Sequence, residues 1–99
     1  MYQVSKTPQF VRDVKSCQKK HWELDALKDA MVRLANSDTR PLAREFKVHS
    51  LSGAWKGYQG LHVQSVKNPG HDKWVLVFRV AGQRLFFVRT GDHSVYSDV

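Results

Sequence analysis

Cysteine occurs once among the 99 residues, at Cys17, which excludes an internal disulfide and a cysteine-built zinc site and leaves packing as the expected role of that thiol. No apolar run approaches the roughly 20 residues needed to cross a bilayer. A secretory leader is not expected either, because Met1 runs straight into the polar, strand-like segment Tyr2 to Lys6. The chain is therefore expected to be soluble and cytoplasmic, without a membrane partner. Internal repeats, linkers and low-complexity segments are missing, as are the glycine motifs that cradle nucleotide phosphates. Acidic side chains are few: 9 Asp plus Glu face 16 Lys plus Arg, for a net charge of +7. That imbalance favours a polyanionic partner, and without a membrane-directed segment the expectation turns to nucleic acid.

What is present fits one domain over residues 1–99, with 41% hydrophobic and 25% charged residues to build a modest core and a solvated surface. Tyr2 to Lys6 alternates as a short strand. Thr7-Pro8 reads as an N-cap followed by proline at the first helical position, and Phe10, Val14 and Cys17 continue as one stripe to about Lys20, with Arg12, Asp13, Lys15, Lys19 and Lys20 facing elsewhere. A second helix carries Leu24, Leu27, Met31 and Leu34 and ends near Asn36-Ser37-Asp38. Thr39 to Ser52, interrupted by Pro41, reads as a surface connection. Three strands follow, roughly Gly57 to Val66, Lys73 to Val80 and Arg84 to Arg89, in an antiparallel meander. Trp74 to Phe78 is apolar on both faces and so central. The order predicts an α+β fold with a helical hairpin on one face of a twisted sheet.

Four of the five histidines, His49, His62, His71 and His93, lie from position 49 onward. If the meander forms, His62 and Arg89 are expected to meet the loop residues His49, Asp72 and His93. Such a group suits attack of a ribose 2′-hydroxyl on its neighbouring phosphate, which needs a base, an acid and a fixed cation but no metal. Histidine populates both protonation states near neutrality, and arginine offers two phosphate oxygens a permanent planar fork. Loss of Arg89 or His93 is accordingly expected to abolish cleavage with little change in thermal unfolding.

His49-Ser-Leu-Ser-Gly-Ala-Trp-Lys-Gly-Tyr58, Leu61-His62-Val63, Trp74-Val-Leu-Val-Phe78 and Arg89-Thr-Gly-Asp-His-Ser94 resemble, in order, the successive motifs of YafQ-like toxins in the RelE superfamily. Asp13-Val14-Lys15 and Leu42 extend the similarity upstream. The resemblance implies a RelE-like fold and a ribosome-dependent messenger RNA endonuclease, held inactive by a cognate antitoxin and using no cofactor. It carries functional roles onto His49, His62, Asp72, Trp74, Arg89 and His93. Two positions depart from the family pattern. Lys73 separates Asp72 from Trp74, within a longer hairpin loop, and the aromatic residue four places beyond the last histidine is replaced by Ser97, with Tyr96 one place earlier. Tyr96 either takes the base-contacting role or that contact is absent.

Within this reading Arg89 stabilises the transition state, His93 is the preferred acid, His49 or Asp72 the base, and His62 orients or substitutes. Trp74, Tyr96, Lys56 and Lys73 are candidate RNA contacts, and Lys15, Lys19 and Lys20 candidate ribosomal RNA contacts. Plainer readings stand beside these: Trp74 packed in the sheet, Asp72 a turn residue, Trp55 and Tyr58 structural, His71 solvated, the three lysines a solvated helix face. The rival functions are a gyrase inhibitor, as in the ParE-like toxins of the same fold, and an RNA-binding module that blocks the ribosome without cutting.

Overall fold

A computed structural model describes residues 2–36, 45–70 and 72–97. The expected helix stop at Ser37-Asp38, the break at Pro41, Leu42 and the solvated His71 lie outside these described residues.

Strand β1 (Gln3–Lys6) leads directly into helix α1 (Pro8–Lys19), and Thr7 fixes the corner. Its Oγ1 accepts from the Phe10 amide at 3.0 Å and donates to the Val88 carbonyl at 2.8 Å, so one hydroxyl both caps the helix and ties its start to the sheet. Helix α2 (Leu24–Asn36) returns after a tight turn through His21, whose φ is 60°. It buries Leu27, Ala30 and Leu34, with Leu24 and Met31 partly covered. In α1 the buried positions are Phe10, Asp13 and Cys17, with Val14 partly buried. Asp13 thus belongs to the inward stripe instead of facing elsewhere, because the end of the sheet supplies partners for its carboxylate.

The sheet has five strands in the order β1-β5-β4-β3-β2, where β2 is His49–Ser50, β3 Gln59–His62, β4 Val75–Ala81 and β5 Arg84–Gly91. The expected meander is β3-β4-β5, antiparallel throughout. Two strands flank it: β1 pairs parallel with β5, and the two-residue β2, lying inside what reads as a loop, pairs with β3. Strand β3 ends at His62, earlier than Val66, because the chain then bends away. There the Glu23 carboxylate accepts from the amides of Val66 at 2.8 Å and Lys67 at 2.9 Å, pinning the long β3–β4 loop to the start of α2. Those hydrogen bonds hold the Glu23 carboxyl below its ordinary range.

Strand β4 is covered on both sides. Leu76 and Phe78 join Phe10, Leu34, Leu85 and Phe87 beneath the helices, whereas Val75 and Val77 pack with Val95 on the outer face, screened by Leu51, Trp55, Tyr58, Val88 and Tyr96. Trp55 and Tyr58 are structural, as expected; the Trp55 indole also donates to the Tyr96 carbonyl at 2.8 Å. A bulge in β5 sets Phe87 opposite Phe78 and Arg89 opposite Val77, leaving Val88 as the additional residue.

Candidate functional site

Strand register decides which side chains share the outer face. His49 stands opposite Gly60, and His62, two residues farther along β3, stands opposite Val75. Side chains paired across strands or two apart along one strand point the same way, so both histidines project beside Val75 and away from the helices. His93 arrives from the C-terminal 3-10 helix (His93–Ser97), whose first turn is fixed by Asp92. The Asp92 carboxylate accepts from the Ser94 amide at 2.9 Å and from the Ser94 hydroxyl, which keeps its carboxyl below the usual range.

The result is a row of rings. His49 and His62 lie 6.2 Å apart between centroids, His62 and His93 5.5 Å, and His93 and Tyr96 6.0 Å. His49 and His93 are exposed, and the His62 side chain retains 17% exposure. Two of the rings are oriented through Nδ1. His49 Nδ1 lies 2.9 Å from the Lys47 carbonyl, which can only accept, so Nδ1 carries the proton and a neutral His49 keeps Nε2 as its base. His62 Nδ1 lies 3.0 Å from Asp72 Oδ1. The same oxygen accepts from Lys47 Nζ at 2.8 Å, and these two donors, the lysine first, hold Asp72 ionised below the ordinary carboxylate range.

Of the five residues expected to share catalysis, His49, His62, Asp72 and His93 are brought together. Lys73 does not displace Asp72, because Asp72 adopts a left-handed conformation, φ 62°, from which its carboxylate meets His62. Arg89 is engaged elsewhere. Its Nε donates to Asp13 Oδ2 at 2.9 Å and a terminal nitrogen to Oδ1 at 3.2 Å, with the two side chains 13% and 9% exposed. Asp13 also accepts from the Thr90 amide at 3.1 Å and from Gln9 Nε2 at 3.0 Å. Arg89 is consequently part of a nearly buried ion pair, which corrects the expectation that its removal spares the fold.

Trp74 requires a correction as an RNA contact. It is completely buried on the helix side, its ring 5.1 Å from that of Trp22 and its indole donating to Thr90 Oγ1 at 2.8 Å. Such a ring offers no face to a base. Tyr96 does reach the histidine row, but its hydroxyl is buried without a hydrogen-bond partner, and burial pushes its pKa up. The hydroxyl fits because position 60 is glycine: a Cβ there would lie 2.7 Å from it and 3.5 Å from His49 Cε1.

Lys56 and Lys73 are exposed beside the structural segments that bear them. Lys15, Lys19 and Lys20 are also exposed. Lys15 borders an apolar groove of about 480 Å³ between α1 and α2, while Lys20 borders a polar cleft of about 160 Å³ with Arg89 and Asp92 and lies 5.2 Å from the Trp22 ring. Among the described residues, no group of three or more His, Cys, Asp or Glu side chains is arranged to hold a metal ion. No helix among them is long and apolar enough to cross a membrane.

Lys47, Gly60 and Asp13 are the site-forming residues that sequence reasoning passes over. Asp13 carried a signal, three residues after Phe10 and four before Cys17 on the inward stripe. Lys47 and Gly60 carried none, since their roles arise from contacts across strands.

The family model for YafQ, described as a bacterial toxin of type II toxin-antitoxin systems, matches residues 2–97. The chain is 38% identical over 86 residues to the mRNA interferase toxin YafQ of Escherichia coli strain K12, covering 87% of this chain and 85% of that one. Its fold matches the crystal structure of YafQ from E. coli strain BL21(DE3) with a TM-score of 0.81 and 33% identity, over 97% of this chain and 98% of that one. The toxin in the E. coli DinJ-YafQ complex matches with a TM-score of 0.78 and 36% identity, over 96% and 97% of the two chains.

Proposed function

Since this chain belongs to the YafQ family of type II toxin-antitoxin toxins, we propose that it is a ribosome-dependent messenger RNA endoribonuclease that shuts down translation, acting as one domain over residues 1–99 in the cytoplasm. The observation that carries the proposal is the exposed row of His49, His62 and His93, with two of its rings oriented through Nδ1.

In this reading His49 Nε2 takes the proton from the ribose 2′-hydroxyl, and the 2′-oxygen forms a bond to phosphorus. The bond to the 5′-oxygen of the next nucleotide breaks as His93 donates a proton to it. The products are a 2′,3′-cyclic phosphate and a free 5′-hydroxyl, and no metal takes part. Asp72 is the poorer base because its two donors favour the carboxylate, which leaves it to orient His62. Arg89 supplies fixed positive charge to the phosphate from β5, which follows β4 in the sheet order after the His62 strand and leads into His93, its plane set by Asp13. Each proton transfer contributes about 100- to 10,000-fold. The ribosome supplies the remaining alignment by holding the messenger in line, with Lys15, Lys19, Lys20, Lys56 and Lys73 meeting RNA phosphates.

A cognate antitoxin completes the system, as DinJ does for the E. coli YafQ with which it was crystallised. Mapping 5′ ends on messenger RNA in a purified translation system tests the activity. The wild type is expected to create new ends inside the reading frame, whereas His49→Gln and His93→Gln lose at least about 100-fold. Stalled ribosomes without new ends would indicate a non-cleaving blocker, and inhibited gyrase supercoiling a ParE-like toxin; either result overturns the proposal.

A further inference from the structure

We infer that Lys47 is a positioning residue of the histidine site, binding Asp72 through its ammonium and His49 through its backbone carbonyl. The inference rests on the cleavage reading for its consequence, but its geometry stands independently. Lys47 Nζ and His62 Nδ1 lie 2.8 and 3.0 Å from the same oxygen, Asp72 Oδ1. Lys47 itself has φ 54°, a left-handed conformation that side-chain-bearing residues adopt rarely. In that conformation the carbonyl of residue 47 lies 2.9 Å from Nδ1 of the histidine two positions on. One residue therefore acts on two of the three rings, by charge on one and by hydrogen bonding on the other.

The electrostatic consequence has a definite sign. An ionised Asp72 favours the imidazolium form of His62, and an ammonium on the same oxygen offsets part of that field. Lys47 thereby shares the Asp72 oxygen with His62 and holds Asp72 ionised. Among the described residues, the other titratable groups facing His62 are the rings of His49 and His93, with Tyr96 beyond His93. An imidazole supplies no anion, so the Lys47 to Asp72 contact is the adjustable element among them.

The test is an NMR titration of the ring protons of the full chain, run alongside cleavage in the translation system, for the wild type, Lys47→Gln and Lys47→Arg. Lys47→Gln is expected to raise the His62 midpoint relative to the wild type, because no ammonium then offsets the Asp72 carboxylate. Cleavage by Lys47→Gln is expected to fall about threefold, the size of effect an exposed ion pair carries, because Asp72 loses the ammonium that helps it orient His62. Lys47→Arg restores both. In an Asp72→Asn background, Lys47→Gln is expected to leave His62 unmoved.

A His62 midpoint unchanged in Lys47→Gln overturns the inference, as does an equal shift with and without the Asp72 carboxylate. Lys47→Gly separates the two arms, because glycine adopts the left-handed backbone and keeps the carbonyl while losing the ammonium. It is expected to match Lys47→Gln in the His62 titration, and failure to do so overturns the electrostatic assignment. A wild type that cleaves no messenger removes the cleavage reading, and the His62 titration still decides whether Lys47 acts through Asp72.

Discussion

Among the described residues, the helix-covered face of the sheet buries one apolar cluster of thirteen, including Phe10, Leu34, Trp74, Phe78 and Phe87, while the cluster on the outer face comprises Val75, Val77 and Val95. The first face draws its cohesion from area removed from water, at roughly 25 cal/mol per Å². The second keeps a thin apolar floor and stands polar rings on it. The imidazoles, in the proposed catalytic role, need solvent, mobile protons and room for a substrate. A domain of this size cannot supply those and a deep core on the same side. On the proposed reading, stability and chemistry fall on opposite faces of β4, and Asp13 with Arg89 and Thr90 is the polar cluster that joins them at one end.

Substitutions that respect or violate this division sharpen it. The largest effects on folding are expected from Phe10→Ala under the helices and from Asp13→Ala at the junction. The former removes a fully buried ring and the latter leaves Arg89 without its carboxylate, each costing about 3–5 kcal/mol in urea unfolding. Asp13→Ala should also impair cleavage, because it frees the guanidinium plane; unchanged stability would show that the pair contributes nothing. Gly60→Ala comes next. It forces a Cβ against the Tyr96 hydroxyl and is expected to cost about 1–3 kcal/mol, with Tyr96→Phe in the same chain recovering much of the loss. Absence of such recovery would locate the strain at Leu51 instead. The smallest folding effect belongs to His49→Gln and His93→Gln, within about 0.5 kcal/mol by thermal unfolding, since both side chains are exposed. If either histidine matters more to folding than Phe10, the division between faces fails.

Much of this was legible in the sequence. The Thr7-Pro8 helix start, the periodic stripes of both helices and the doubly apolar Trp74 to Phe78 segment are local signals, and they lead to the observed elements. Strand β2 was not legible, because two residues held by pairing with β3 carry no period of their own. Trp74 shows how one residue type serves two environments: an indole suits stacking on a base or packing in a core, and only the Thr90 hydroxyl and the Trp22 ring decide between them. His49, His62, Asp72 and His93 were found as a group, although no spacing along the chain states that they meet. The partner of Arg89 was missed because Asp13 is 76 positions away and reads as one more charge on a helix.

The extra residue at Val88 settles more than local twist. Regular pairing of the same chain would set Val88 against Val77, Arg89 against Leu76 and Thr90 against Val75, reversing the sidedness of everything that follows. A guanidinium would then be driven among leucines, and the Trp74 indole would lose its acceptor. A single irregular step in one strand is what brings Thr90 to the Trp74 indole and Arg89 to the Asp13 carboxylate.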